Sequence, residues 1–318
     1  MDISVAMCTY NGSRFLPAQL QSIAGQTMLP CELVVCDDGS SDSTSEIVKS
    51  FGEVAAFPVR FIRNERTLGS TENFAKAICL CRGDAIALCD QDDIWRKDKL
   101  ERMAEVLESE PDVGGVFSDA LLVDQNSKTL PESMWEQRQF DARLQAVIND
   151  RQAAPLQLLE KNVVTGATFM FRSHFVSRVT PIPPEWVHDA WIALLIATQT
   201  KLRALPAQLM SYRLHGAQQI GIKAASWHHP FHEERKKTLA FHDTLIQRWR
   251  SMTERLVALG VDPMVIGQAQ ERLKFLETRT ALRQQDPWSR FVSATVTLPE
   301  YFKFSKGLLS FYRDVTRS

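Results

Sequence analysis

Short apolar runs alternate with amphipathic stretches through the first half of the chain. Residues 3–7, 32–36, 59–62 and 85–88 are apolar-rich and of strand length, and such runs without a helical period read as strands buried on both faces. Between them, Phe15, Leu16, Leu20 and Ile23 fall on one face of a helix over 15–24. Ser43-Thr44-Ser45-Glu46 has the S-x-x-E form of a capping box and opens a helix to about Phe51. Residues 73–81 make another, which stops before Gly83. Strand and helix alternating in this way predict a mostly parallel sheet with helices on both faces.

Further on, 97–108 reads as a helix stopped before Pro111, and 115–123 as another apolar strand. Residues 125 to about 150 are polar and weakly patterned, which predicts an insertion or flap. A strand over 163–171 is interrupted by Gly166, Trp186-Val187-His188-Asp189 precedes a helix over 190–197, and 202–205 and 209–212 are short extended pieces. The sheet ends near Arg213. From about Trp227 the texture changes: Phe241, Leu245, Trp249, Met252, Leu256 and Leu259 recur at helical spacing, then Gly260 and Asp262-Pro263 break it, then Ile266, Ala269, Leu273 and Leu276 form a second stripe. A helix, a glycine stop, an Asp cap with Pro at the first helical position and a second helix predict an αα-hairpin. The segment 288–312 mixes Phe291, Phe302, Phe304 and Phe311 with Arg290, Lys303, Lys306 and Arg313. Such a tail lies on an anionic membrane surface, or docks on its own domain or on a second subunit as a homodimer contact. The domain division expected from these patterns is 1–222 and 223–318.

Composition narrows the class. With 318 residues, 44% of them apolar, the chain can bury a full core, and a formal charge of −1 argues against nucleic acid as a partner. The longest clean apolar run, 190–197, is too short to cross a bilayer, and Met1-Asp2-Ile3-Ser4 has neither the basic nor the apolar part of a signal peptide. A cytoplasmic protein is expected. All six cysteines precede residue 90 without a C-x-x-C pair, which predicts buried thiols rather than disulfides or zinc. His228-His229-Pro230-Phe231-His232 has no acidic or cysteine partner nearby and reads as a junction feature.

Two predicted strands run into acidic turns, Asp37-Asp38-Gly39-Ser40-Ser41-Asp42 and Asp90-Gln91-Asp92-Asp93. The carboxyl ends of parallel strands are where an open α/β sheet binds ligands. Carboxylates crowded there repel one another unless a cation or ligand donors join them, so the pattern calls for a divalent metal and a nucleotide. For the first turn, an ordinary Asx turn with a helix cap is the alternative reading, set aside because the second acidic turn recurs at the expected strand end.

Met7-Cys8-Thr9-Tyr10-Asn11-Gly12, Asp37-Asp38-Gly39-Ser40 and Asp90-Gln91-Asp92-Asp93-Ile94-Trp95 resemble the T-Y-N, D-D-G-S and D-x-D signatures of family 2 glycosyltransferases, in order, over about the first 215 residues. The Asp-Gln-Asp-Asp-Ile-Trp run, His188-Asp189-Ala190-Trp191 and Tyr212-Arg213-Leu214-His215-Gly216 are similar to its bacterial rhamnosyltransferase branch. The resemblance implies an α/β GT-A fold, a mixed, mostly parallel sheet flanked by helices, here with a C-terminal helical extension. It implies that Thr9 and Tyr10 line the base, with Asn11, Asp37 and Gln91 in the same donor site, and that Asp38 accepts from the pyrimidine N–H. Gly69 and Asn73 match a segment beside the nucleotide, a helix start being the other reading. Asp92 would hold Mg2+ or Mn2+, with Asp90 near the ribose or just behind the metal, and His215 near the metal or the diphosphate. Arg213 would pair with phosphate or support the fold, and Asp93 would cap the turn beneath Trp95. Asp189 matches the base, with a plain N-cap as its other reading. Many relatives carry Glu-Asp where this chain has His188-Asp189. Gly166-Ala167-Thr168 and Trp191 would lie toward the acceptor or in the core.

The function this implies is inverting, metal-dependent transfer of a sugar, rhamnose from dTDP-rhamnose, to a surface polysaccharide such as O-antigen or to a lipid-linked glycan. The absence of Q-x-x-R-W and of membrane helices implies one sugar per encounter. A nucleotidyltransferase and a non-catalytic nucleotide-sugar-binding module are the alternatives. The first usually needs a Gly-rich basic loop where residues 9–15 hold one glycine and one arginine.

Overall fold

The computed structural model describes residues 1–216, 239–282 and 285–316. The chain divides into two compact units, Met1–Ser226 and Trp227–Ser318. The expected border at 222/223 and the His228–His232 cluster (228–232) lie outside the described residues.

The first unit runs β1 (Ile3–Thr9), α1 (Leu16–Ala24), β2 (Glu32–Asp37), α2 (Thr44–Val54), β3 (Val59–Arg63), α3 (Ser70–Leu80), β4 (Ala85–Cys89) and β5 (Ile94–Trp95). It continues with α4 (Lys99–Ser109), β6 (Val113–Val123), β7 (Thr129–Ser133), α5 (Met134–Gln137), α6 (Ala142–Asn149), α7 (Ala153–Glu160), β8 (Phe169–Arg172), α8 (Val176–Val179), α9 (His188–Ala197) and β9 (Lys201–Arg213). Among the described residues these strands form one nine-stranded sheet of order β3-β2-β1-β4-β8-β6-β9-β5, with β7 on β6. The left half, β3-β2-β1-β4, is parallel, and β8 inserts antiparallel between β4 and β6. In the β1–β2 register Thr9 faces Asp37, and in the β1–β4 register Met7 faces Cys89, so both acidic turns leave the same edge of the sheet on either side of β1. Every residue of β2 and β4 is buried, as continuous apolar runs require when helices cover both faces.

Four local expectations differ. Ser43 makes no side-chain cap; Asp42 Oδ1 instead accepts from the Thr44 backbone N–H, 3.1 Å away, because Asp42 is drawn onto the neighbouring turn. The stretch read as a flap is ordered: β7 pairs with β6, and Ser133 and Glu136 form a reciprocal capping box. The strand over 163–171 shrinks to β8, since Gly166–Thr168 is a tight 3-10 turn. The two short pieces after α9 are one long strand, β9, whose partner β6 keeps it paired through register shifts. The cysteines are free, but of the thiols expected to be buried only Cys36 and Cys89 are; Cys8, Cys31 and Cys81 are partly exposed and Cys79, on α3, is exposed.

The second unit contains α10 (Leu239–Ala258), α11 (Pro263–Leu282), α12 (Pro287–Val296), α13 (Leu298–Phe304) and α14 (Leu308–Thr316). Gly260 takes φ +61, a left-handed stop, and Asp262 Oδ1 accepts from Met264 N at 2.8 Å, so the hairpin is built as its pattern predicts. The tail packs on α11 around Phe275, Leu282, Ala294 and Tyr301, edged by Phe304, Phe311 and Val315. Inside, Asp314 takes Arg279 Nε at 2.6 Å and the Tyr301 hydroxyl at 2.8 Å. Arg290 is buried and donates to the carbonyls of Leu282 and Gln285, so it is no part of a solvated basic face. Trp288, Phe302, Leu308 and Tyr312 remain exposed. Among the described residues no helix is long and apolar enough to cross a membrane.

Candidate active site

The first acidic turn is tied to the Thr9–Gly12 segment (9–12) by side chains that reach backbone. Asp37 is fully buried; Oδ1 accepts from Thr9 Oγ1 (2.9 Å) and Ser40 Oγ (2.5 Å), and Oδ2 from the N–H groups of Gly39 (3.2 Å) and Ser40 (2.9 Å). Both oxygens are therefore occupied by the protein, and the Asx-turn reading describes Asp37 rather than direct contact with a nucleotide. Thr9 is consumed in the same way. Asn11, at φ +49, accepts from Ser41 N at 2.8 Å, while the N–H groups of Asn11, Gly12 and Ser13 go to Ser40, Thr44 and Asp42. Asn tolerates this left-handed backbone because its short amide bonds locally. Tyr10 and Asn11 are the exposed members, Tyr10 at 42% accessible.

Asp38 caps a different element. Its Oδ1 accepts from Asn64 Nδ2 (2.9 Å) and Leu68 N (2.7 Å), and its Oδ2 from Gly69 N (2.9 Å). Gly69, at φ +81, is the residue before α3, so Asp38 holds the entry to that helix. Asn73 is buried and spans Cys36 O and Asn64 Nδ2. It is an internal strut, which places it behind the site rather than on its surface.

The second acidic turn faces the first. Gln91 accepts from Tyr10 N at 2.9 Å and donates to Tyr10 O at 3.0 Å, a two-point clip between the turns. A Cβ at Gly12 would stand 2.1 Å from Gln91 Oε1, so only glycine leaves the clip in place. Gly12→Ala should free the Gln91 amide, and proteolysis of the 9–12 segment should quicken relative to wild type while the unfolding free energy changes by only about 1 kcal/mol. Asp92 and His215 are in contact, Oδ2 to Nε2 at 2.7 Å, and both are largely buried. Arg213 is buried across the Phe15 ring, donates Nε to Asp92 O at 2.8 Å and gives its own N–H to Asp93 Oδ1. These bonds tie it to the second acidic turn.

Burial, then the fields of Asp92 and Asp189, push the Asp90 carboxyl up to about 7. Burial and the fields of Asp92 and Asp90 also push Asp93 well above the usual carboxylate range, and its Oδ2 has no partner. Cys8, at the end of β1, feels both Asp38 and Asp90, which sets the two turns around one cleft. Among the described residues no three-ligand His, Cys, Asp or Glu cluster exists. The pair that does meet, an oxygen of Asp92 and a nitrogen of His215, suits a hard cation that takes its remaining ligands from phosphate.

Asp189 is the second residue of α9, whose N-cap is Val187, so the cap reading is replaced. Its Oδ2 accepts from Gly166 N at 3.0 Å and its Oδ1 from Asn162 Nδ2 at 3.3 Å. A Cβ at Gly166 would lie 2.7 Å from His188 Nε2, and His188 itself stacks on Phe74 with ring centroids 3.9 Å apart. Burial holds His188 below its ordinary range, keeping it neutral. Trp191 is core, its Nε1 donating to Val179 O.

Two residues escaped the sequence reading. Asn162, in a loop without a motif, carried no signal. Lys99 did: it occupies the apolar phase of α4 with Met103 and Leu107, where a lysine is out of place. It is buried, with Nζ 2.6 Å from Ala167 O and 3.9 Å over the Trp95 ring, and burial pulls its ammonium down to about 8 despite the opposing fields of Cys89, Asp93 and Asp90.

Comparison with known proteins agrees with this geometry. An uncharacterized glycosyltransferase of Nostoc sp. is 28% identical over 229 residues, 68% of this chain and 66% of that protein, so the chain spans just under two thirds of that relative's length. The UDP-Glc:alpha-D-GlcNAc-diphosphoundecaprenol beta-1,3-glucosyltransferase WfgD of Escherichia coli is 33% identical over 105 residues, 33% of this chain and 40% of its own. Staphylococcus aureus TarS 1–349 in complex with UDP-GlcNAc matches 99% of this chain and 82% of its own with a TM-score of 0.58 at 17% identity, a likeness of fold. The glycosyl transferase family 2 model covers residues 4–177, from β1 through both acidic turns into α8, more than half the chain. With that match laid on a GT-A-like α/β sheet, the chain belongs to glycosyl transferase family 2.

Proposed function

We propose that the protein transfers a single sugar, with inversion, from a nucleoside-diphosphate donor to a glycan or lipid-linked glycan, with Asp189 as base and Asp92, His215 and Asp90 around Mg2+ or Mn2+. The observation that carries this reading is the Asp92 Oδ2–His215 Nε2 contact at 2.7 Å in the second acidic turn, beside an Asp90 carboxyl that burial, Asp92 and Asp189 push up, because carboxylates crowded in one cleft want a cation and a polyanionic ligand. A divalent ion bound there neutralises charge on the departing nucleoside diphosphate.

The chain's own residues supply the rest. Tyr10 offers an exposed ring at the mouth of the donor site, held in place by Gln91. Asp38 Oδ2 carries one hydrogen bond, from Gly69, which leaves a lone pair for a base N–H. Gly166 N–H and Asn162 fix the Asp189 carboxylate, whose free lone pairs take the acceptor hydroxyl proton as that oxygen attacks the anomeric carbon opposite the nucleotide. The segment after β1 is not a triphosphate-binding loop, since the N–H groups of Asn11, Gly12 and Ser13 are spent on Ser40, Thr44 and Asp42, which argues against a nucleotidyltransferase.

The donor class is supported by the TarS complex with UDP-GlcNAc, and the lipid-linked acceptor by the name of WfgD. Rhamnose from dTDP-rhamnose rests on the His188-Asp189-Ala190-Trp191 and Tyr212–Gly216 (212–216) resemblance. Work at the inner face of a membrane is supported by the exposed Trp288, Phe302, Leu308 and Tyr312. A thermal-shift series with dTDP-rhamnose, UDP-sugars and GDP-sugars, each with and without Mn2+, tests the donor. dTDP-rhamnose with Mn2+ at about 100 times its Kd should add about 2.7 kcal/mol of stability, and a panel in which no nucleotide sugar raises the melting temperature sinks the proposal.

A further inference from the structure

Lys99 stands where three local preferences oppose it. It is buried, it is the first residue of α4, where the helix dipole disfavours a cation, and its partners are the Ala167 carbonyl, the Met210 sulfur and the Trp95 ring, none of them a carboxylate. An ammonium held this way must be compensated by what surrounds it. The surroundings are Asp90 and Asp93 on one side and the Gly166–Thr168 turn on the other.

We infer that Lys99 is a positioning residue for the transfer: its ammonium reaches from beneath the second acidic turn to the Ala167 carbonyl and holds the Gly166–Thr168 turn that orients Asp189. The links are direct. Lys99 Nζ donates to Ala167 O at 2.6 Å, Thr168 N closes the turn on Thr165 O at 3.0 Å, and Gly166 N donates to Asp189 Oδ2 at 3.0 Å. One side chain, at the start of α4 just past the turn that carries Asp90 and Asp92 and lying over the Trp95 ring, thereby reaches the turn that aims the base, a segment far away in sequence. Lys99 touches no reacting atom; it fixes the distance between groups that do. This inference rests on the reading of Asp189 as base.

Amide hydrogen exchange and steady-state kinetics on Lys99→Met and Lys99→Arg test it. In Lys99→Met the Gly166 and Thr168 amides should exchange at least about tenfold faster while those of β1 and β4 hold, and kcat should fall about 10²-fold with donor KM within about threefold, the cost of a base misplaced by about 1 Å. Lys99→Arg, which keeps a cation and a donor for Ala167 O, should recover most of both. Wild-type exchange at the two amides in a folded Lys99→Met protein overturns the inference, as does lost donor affinity with kcat unchanged. Failure of both variants to unfold cooperatively assigns Lys99 to the core and overturns it too. If the wild-type protein turns over no nucleotide sugar, the transferase reading fails, while the exchange comparison still decides what Lys99 holds.

Discussion

Asp189→Asn should abolish sugar transfer while leaving the donor bound. The amide keeps the shape of the carboxylate and can still accept from Gly166 N–H, so the α9 entry stays folded. It cannot take a proton, and loss of a positioned general base costs about 10²–10⁴-fold in rate. Nucleoside-diphosphate release with saturating donor and acceptor, set beside donor affinity from calorimetry, reads both quantities. Turnover within about threefold of wild type removes Asp189 from the chemistry, and binding lost together with turnover assigns it to the donor site instead.

Asp92→Asn should have the second largest effect, with a signature in pH. Its removal takes an oxygen donor from the contact with His215 and relieves the field on Asp90. Loss of the several kcal/mol that a bound cation contributes to the transition state corresponds to at least about 10²-fold in kcat. The stability of the protein without metal gives the pH test. An Asp near 3.9 when unfolded and about 7 when folded binds more protons in the native state between those values. Asp90 therefore withdraws up to about 1.4 kcal/mol of stability per pH unit as pH rises from about 4 to 7, and the loss is complete above 7. Mn2+ should restore more stability at pH 8 than at pH 5, because the ion binds the ionised form. In Asp92→Asn both the slope and the Mn2+ response should shrink. Equal Mn2+ shifts in the two proteins, measured by thermal unfolding across pH 5–8, would remove Asp92 from the metal site.

Much of this molecule can be read along its sequence. The apolar runs that become β1 to β4 and the glycine and Asp-Pro break between α10 and α11 are local signals, governed by periodicity and turn geometry that a few neighbouring residues settle. The two acidic turns are equally plain, because each directly follows a strand whose register on β1 brings it to the same edge. The segment over 129–149 was opaque for the opposite reason: β7 owes its existence to pairing with β6, not to its own weak pattern.

Which polar residues line the cleft is a different kind of fact. Asp37 and Asn73 carry motif identity but are buried and spend their hydrogen bonds inward, as struts of the turns, while their neighbours Tyr10 and Asp92 keep surface or capacity to spare. The chain order by itself determined the alternating α/β architecture, the family and the two acidic strand ends, since those depend on residues close together. Only the tertiary structure decided that Asp189 is aimed by Gly166 rather than capping α9, that His215 meets Asp92, and that Lys99 lies beneath the site. Each of those contacts joins segments distant in sequence, and a side chain's hydrogen-bonding capacity is allotted only once the sheet has brought its competitors within reach.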